Sequence, residues 1–220
     1  MFPGTSFTTR RVRARVPHIL GSGVYGVRAM SDAHLFAVGI VLAWLAGVRA
    51  YLTVFGVGLA GYFGWLDLPE ALEATTSPWV LGVCGVLAAV EFFADKIPGV
   101  DSAWDLVNTL ARVPAGAFLA AATLSPDGEL GAGAMLTGAA VALGSHVLKA
   151  GSRAALNTSP EPVTNWTASV GEDVAVVGGL ALVFAYPWVA LGLALLVTLA
   201  VGALLWWLWR VLFRRRVGAG

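Results

Sequence analysis

The chain has 220 residues, of which 58% are hydrophobic and only 12% charged, with a formal net charge of +1. A soluble domain of this length carries about a quarter charged residues, so an ordinary water-soluble enzyme fold is excluded. The single cysteine, Cys84, excludes an intrachain disulfide and reads as a small apolar core residue.

Residues 1–30 form a basic extension with Arg10, Arg11, Arg13, Arg15 and Arg28. Pro17, His18 and three glycines interrupt Val16 to Val27, so no apolar core of a cleavable signal follows the arginines. The segment reads as a disordered arm or an over-extended start. The polytopic membrane region covers 31–213, because apolar runs near or above ~18 residues then recur along the chain. Span 1 runs over 33–65, long enough to tilt or break, and its second half carries Gly56, Gly58, Gly61 and Gly64, small residues that suit close helix contact, including contact with a second copy. A loop with Asp67, Glu70 and Glu73 leads to span 2 at 78–95. Ile97-Pro98-Gly99 makes a tight turn into span 3 at 101–125, in which Pro114 predicts a kink or break. Ser125-Pro126-Asp127-Gly128 turns the chain into span 4 at 130–156. A polar loop over 157–164 precedes span 5 at 165–186, span 6 follows at 188–213, and 214–220 is a basic tail.

Six spans put both ends on one side, and both ends are basic, whereas the Asp67/Glu70/Glu73 and Asp127/Glu129 loops contain no lysine or arginine. The positive-inside rule then places both termini in the cytoplasm, and it explains the terminal arginines without a nucleic-acid partner. Tryptophans agree, with Trp65, Trp79 and Trp188 at the outer interface and Trp104, Trp166, Trp206, Trp207 and Trp209 at the inner one. Ala46-Gly47-Val48-Arg49-Ala50-Tyr51-Leu52 in span 1 is echoed by Ala150-Gly151-Ser152-Arg153-Ala154-Ala155-Leu156 in span 4, and acids follow one span later in each half. Three spans per half would invert the second half relative to the first, the plan of many small transporters. A short Ala/Gly-rich match also arises by chance in such a composition.

Helical spacing gathers the charges into stripes. Asp101, Asp105, Asn108 and Arg112 share one face of span 3, and His146, Lys149 and Arg153 share one face of span 4. Asn165, Ser169 and Glu172 share a face of span 5 with Asp173 beside it, Glu91 and Asp95 stand a turn apart on span 2, and Arg49 lies deep in span 1. Arg49, Lys96, Arg112, Lys149 and Arg153 face Glu91, Asp95, Asp101, Asp105, Glu161, Glu172 and Asp173, five positive against seven negative. Charges at membrane depth are rare and mark pathways or sites, although a structural ion-pair lattice is the plainer alternative.

The chemistry stays open between three readings. Surplus carboxylates with Asn, Ser and Thr oxygens suit a cation or proton relay, with Glu91, Asp95, Glu172 and Asp173 binding, Asp101 and Asp105 at the cytoplasmic mouth, and Lys149 and Arg153 as counter-ions. The spacing Asp95-x5-Asp101-x3-Asp105, with Lys149 and Arg153 for a phosphate, suggests instead a magnesium-dependent enzyme or carrier acting on a lipid phosphate, although no complete motif of that kind is present. A non-catalytic membrane scaffold is the third. His146 has no second membrane histidine, so it reads as a hydrogen-bonded packing residue and not a metal ligand, and no resident cofactor is expected under the first reading.

Glu91-Phe-Phe-Ala-Asp-Lys-Ile-Pro-Gly-Val-Asp-Ser-Ala-Trp-Asp105, Arg112-Val-Pro-Ala-Gly-Ala, Lys149-Ala-Gly-Ser-Arg153 and Ser169-Val-Gly-Glu-Asp173 together resemble one family. It is the bacterial integral membrane family catalogued as domain of unknown function 4126, and the resemblance covers roughly 33–210. It implies a multi-span fold in a bacterial inner membrane and no particular substrate. The expectation is therefore an all-α membrane protein of about six spans, an inverted three-plus-three repeat with broken or kinked helices. It would be a transporter or channel for an ion or small polar solute, able to form a homodimer in the lipid bilayer.

Overall fold

A computed structural model describes residues 30–97, 100–125, 129–157 and 162–217, with the side chains of 101, 102, 162 and 212–217 outside the description. The arginines of the N-terminal extension, the Pro98-Gly99 and Pro126–Gly128 turns, the side chain of Asp101, Glu161 and the side chains of the basic tail therefore lie outside the described residues. The order is α1 (Asp32–Val48), α2 (Ala50–Tyr62), α3 (Glu70–Glu73), a 3-10 turn (Ala74–Thr76), α4 (Pro78–Ala94), α5 (Val100–Leu124), α6 (Ala132–Leu156), α7 (Pro162–Ala185) and α8 (Pro187–Val217). No strand occurs among the described residues.

Helix boundaries follow local chemistry. Prolines open α4, α7 and α8 at the position where a missing N–H is harmless. Beyond the end of α2, Gly64 has φ +69, the left-handed conformation that costs glycine little. The first apolar run is broken in two, because Arg49 has φ −145 and ψ 84 between α1 and α2. No proline or glycine occupies position 49, so the break is held from outside. The Thr53 hydroxyl donates to the Arg49 carbonyl at 2.7 Å, and the Lys149 ammonium donates to the Val48 carbonyl at 3.3 Å. The lysine bond satisfies an acceptor that the C-terminal end of α1 exposes at membrane depth, whereas the Arg49 carbonyl also accepts the Thr53 backbone N–H at 3.0 Å.

Pro114 does not break α5, which runs as one helix from Val100 to Leu124. A single missing backbone bond is tolerated when packing holds both sides, and Ala117, Leu119, Ala120, Ala121 and Ala122 beyond it are buried.

The core is built around α1. Val38, Val41, Leu42 and Leu45 are nearly inaccessible and join Leu119, Ala122, Val176, Val183 and Ala190 in one apolar cluster. Small residues bring α1, α5 and α6 backbone to backbone. A Cβ on Gly47 would meet the Ala142 carbonyl and the Ser145 hydroxyl, and one on Gly138 would meet the Gly116 carbonyl. Gly47→Ala is expected to lower stability by about 1–3 kcal/mol, since backbone cannot yield to a methyl group. Gly144→Ala, which meets nothing within 4 Å, is expected to leave stability unchanged or raise it by about 0.5–1 kcal/mol. Thermal unfolding of the two variants in detergent checks the pair.

The glycines of α2 are likewise occupied within the chain. Gly56 faces Leu180, Gly58 faces the Thr75 carbonyl, and Gly61 faces Leu68 and Thr76. Helix α7, Leu68 and the 3-10 turn thus pack against the small residues of α2.

Among the described residues, three helical stretches are long and apolar enough to cross a membrane: Ala103–Leu124, Val163–Ala185 and Pro187–Val211. A fourth is counted if the pair Glu70–Thr76 and Pro78–Ala94, bent by 64°, is one broken or re-entrant span. Helices α1 and α2 are apolar but only 17 and 13 residues long. Helix α6 has 25 residues but carries His146, Lys149 and Arg153. The outer helices show large apolar side chains, including Leu193, Leu196, Leu199 and Trp207 of α8, each about half exposed or more. A surface of that kind belongs in lipid, and with the spans it marks a membrane protein.

Candidate functional site

The break at Arg49 is where the charged stripes converge. Helix α5 presents Asp105, Asn108 and Arg112 inward, α6 presents His146, Lys149 and Arg153, α7 presents Asn165, Ser169, Glu172 and Asp173, and the end of α4 brings Glu91 and Asp95. Asp95, Arg112 and Ser169 are wholly inaccessible, and Arg49, Glu91 and Arg153 are 1% exposed. Apolar α-helices put these residues here through spacing alone, since positions three and four apart share a face.

The groups form one connected lattice of alternating charge. The Arg112 guanidinium donates to Glu91 at 2.5 Å and lies 2.7 Å from Asp105. The same Asp105 oxygen lies 3.2 Å from the Lys149 ammonium, which also reaches Asp95 at 3.0 Å and Glu172 at 3.4 Å. Arg49 touches three acids: Asp95 at 2.5 Å, Asp173 at 3.0 Å and Glu172 at 3.4 Å. It also donates to the hydroxyl and carbonyl of Ser169 at 3.1 and 3.2 Å. Arg153 donates to Glu172 at 3.0 Å and lies 3.8 Å from Asp95, and it donates to the carbonyls of Asp95 and Asn165. Asp95 and Glu172 are therefore the hubs, each shared by Arg49, Lys149 and Arg153.

His146 is held from both sides. Its Nδ1 lies 2.7 Å from the Arg112 guanidinium and its Nε2 lies 2.7 Å from the Thr109 hydroxyl. Arginine has only donors, so Nδ1 is the acceptor and Nε2 carries the proton. Both ring nitrogens are thus engaged within the protein, as a packing histidine requires. No group of three or more His, Cys, Asp or Glu side chains with metal-site geometry occurs among the described residues.

The sequence stripes place some residues differently from their expected roles. Asp105 is 3% exposed and gripped by two cations, so it stands inside the lattice and not at an open mouth. Lys96 turns aside: its ammonium donates to the Phe92 carbonyl at 2.8 Å and sits over the Phe92 ring, 2.9 Å from the centroid, with Trp166 also nearby. Asn165 donates to Asn157 at 3.1 Å. Three further residues join the site beyond those the stripes singled out. Tyr51 donates to Asn108 at 3.2 Å, Thr109 links His146 to the Asp105 carbonyl, and Asn157 anchors Asn165. Thr109, four residues after Asp105, was readable as a member of that face; Tyr51 and Asn157 reach the site only through the fold.

Several polar atoms in this region are buried without a hydrogen-bond partner among the described residues: Glu91 Oε2, Asp95 Oδ1, Asp105 Oδ2, Asp173 Oδ2, Asn108 Nδ2 and Arg112 Nε. A lattice made only for structure has reason to use such atoms, since each unmet one costs about 1–3 kcal/mol. Free carboxylate oxygens beside fixed cations can accept a proton or coordinate a small polar guest.

No curated protein and no solved structure matches the chain. The family model described as domain of unknown function (DUF4126) matches residues 36–210, which contain every segment of the lattice. The family resemblance is thus borne out, and the chain belongs to the DUF4126 family.

Proposed function

We propose that this protein is a small transporter or channel for an ion or small polar solute, with the Glu91–Asp173 lattice as its pathway. One observation carries the reading. Arg49 and Arg153, the paired residues of the internal echo, grip the same two acids, Asp95 and Glu172. Each half supplies one arginine and one acid, and each arginine meets the acid of its own half and that of the other, as a pseudo-two-fold relation between the halves would arrange them. This supports an inverted three-plus-three repeat of six spans, with α1 and α2 forming the broken first span and α6 the fourth. A discontinuous helix and an ionisable centre at the repeat interface are the features of transporter sites. Stability alone is a poor reason for the lattice, because desolvation offsets much of the Coulomb attraction of buried pairs. In this reading the basic ends of the chain face the cytoplasm across a bacterial inner membrane.

The lipid-phosphate reading has one observation in its favour. A cavity of about 290 Å³ between α1, α6, α7 and α8 has apolar walls, including Trp44, Leu148 and Val197, and reaches Lys149, Arg153 and Glu172. Against it, the Lys149 ammonium stands between Asp95 and Asp105, where magnesium would have to sit, and both cations are already committed to acids.

A thermal-unfolding series on detergent-purified protein tests these readings, because a ligand of the folded state alone raises the midpoint by mass action, about 2.7 kcal/mol at a hundredfold excess over Kd. Stabilisation by monovalent cations or by a change of pH is the expected result. Stabilisation only by a polyprenyl phosphate with magnesium would replace the proposal with the enzyme or carrier. No response to any of these, or to phosphate, would leave the scaffold.

A further inference from the structure

The lattice carboxylates are not equivalent. Asp95 and Glu172 each face three cations, and Asp105 faces two. Neutralising any of these removes a shared counter-charge from the interior. Among the described ion pairs, Glu91 and Asp173 each meet a single cation, Arg112 and Arg49 respectively. They differ in two respects. Glu91 is 1% exposed, whereas the Asp173 side chain is 18% exposed at the edge of the lattice. Arg112 would keep one carboxylate if Glu91 were neutralised, whereas Arg49 would keep two, Asp95 and Glu172, together with both oxygens of Ser169.

From this geometry we infer that Asp173 is the proton-binding group of the pathway: it takes up and releases a proton at its unpartnered Oδ2 while Arg49 stays held by Asp95 and Glu172. The inference deepens the transport reading and rests on it for what the proton drives. The chemistry balances simply. One proton from the accessible side adds to the carboxylate oxygen, the Asp173–Arg49 charge attraction lapses, and release restores it. No other bond is made or broken.

A proton suits this position better than a metal cation. A hard cation needs about six oxygens around it, whereas a proton needs one, and Asp173 Oδ2 is buried without a hydrogen-bond partner among the described residues. The charges acting on Asp173 are Arg49 from the α1–α2 junction, Lys96 and Asp95 from the end of α4, and Glu172 from its own helix. The proton site lies beside the break between α1 and α2, where Arg49 is the one non-helical residue, and Asp95, Glu172 and Ser169 hold Arg49 in either protonation state of Asp173.

The experiment uses the full chain reconstituted in vesicles of phosphatidylethanolamine and phosphatidylglycerol, followed by infrared difference spectroscopy as the pH is lowered from about 8 to about 4, through the carboxylate range. Wild type is expected to gain a protonated-carboxyl band that Asp173→Asn lacks and that Asp173→Glu retains at a shifted frequency. Exposed acids such as Glu70 and Glu73 contribute equally to all three proteins and cancel in the comparison. A band of full size in Asp173→Asn, or identical spectra for wild type and both variants, would overturn the inference. Far-ultraviolet circular dichroism shows whether Asp173→Asn is folded; if it is not, the frequency shift in Asp173→Glu alone decides. A pH-sensitive dye inside the same vesicles separates the two proposals. An Asp173 band without proton flux in wild type would support the proton site and overturn proton transport, whereas proton flux without the band would support transport and overturn the site.

Discussion

Replacing Asp95 with asparagine is expected to lower stability by about 3–5 kcal/mol, the cost of leaving buried charge uncompensated. Asp95 is wholly inaccessible and its Oδ2 lies 2.5 Å from Arg49, 3.0 Å from Lys149 and 3.8 Å from Arg153. Removing that one charge weakens three cations at once in a medium where water cannot replace it. The loss also loosens the α1–α2 break, because Arg49 and Lys149 both brace it, Lys149 through the Val48 carbonyl. A fall in Tm of roughly 6–20 °C in detergent is the expected readout, taking about 2–4 °C per kcal/mol for a chain of this size. Asp173→Asn is the matched comparison and is expected to cost about 1 kcal/mol or less, as a partly exposed pair does. Equal losses from the two substitutions would show that the hub arrangement has no energetic meaning. Glu172, the second hub, is shared by three cations but its side chain is 19% exposed, so neutralising it is expected to cost less than neutralising Asp95.

The second large effect belongs to the other end of the lattice. Arg112 is wholly inaccessible and holds Glu91 at 2.5 Å, Asp105 at 2.7 Å and the His146 Nδ1 at 2.7 Å. Arg112→Met should cost about 3–5 kcal/mol, because Glu91 loses the one cation it is paired with among the described residues and Asp105 must rely on Lys149. Adding Glu91→Gln to Arg112→Met should recover much of that loss. A buried pair replaced on both sides is often nearly neutral, whereas breaking it from one side is not. The coupling energy in this double-mutant cycle is expected at the upper end of the usual 0.5–3 kcal/mol for contacting residues. Independent, additive losses would mean that Glu91 has another counter-charge. If the double variant also retains its ligand-induced stabilisation, Glu91 and Arg112 are structural members of the lattice, and the pathway is confined to Asp95, Glu172 and Asp173.

Helical architecture and a membrane setting were legible in the chain's long apolar runs, because an uninterrupted run of that length satisfies its backbone in lipid as a helix. Pro78 opens α4 at the expected start of span 2, whereas Pro162, which falls in the polar loop over 157–164, opens α7 three residues before the expected start of span 5, since proline opens a helix as readily as it ends one. The inward stripes were also legible: a helix puts residues three and four apart on one face whatever surrounds it, so Asp105, Asn108 and Arg112 could be grouped before any partner was known. The tertiary structure alone decided who pairs with whom. Asp95 and Glu172 are separated by 77 positions in the chain, and only the packing of α1 against α5, α6 and α7 makes them joint partners of Arg49 and Arg153. The same holds for the break at Arg49. Its own residue type does not interrupt a helix, and the groups that hold it open, Lys149 and the acids of α4 and α7, come from far along the chain. Burial of Asp105 and occupation of the α2 glycines belong to this second class as well, because exposure is a property of neighbours that local spacing does not encode.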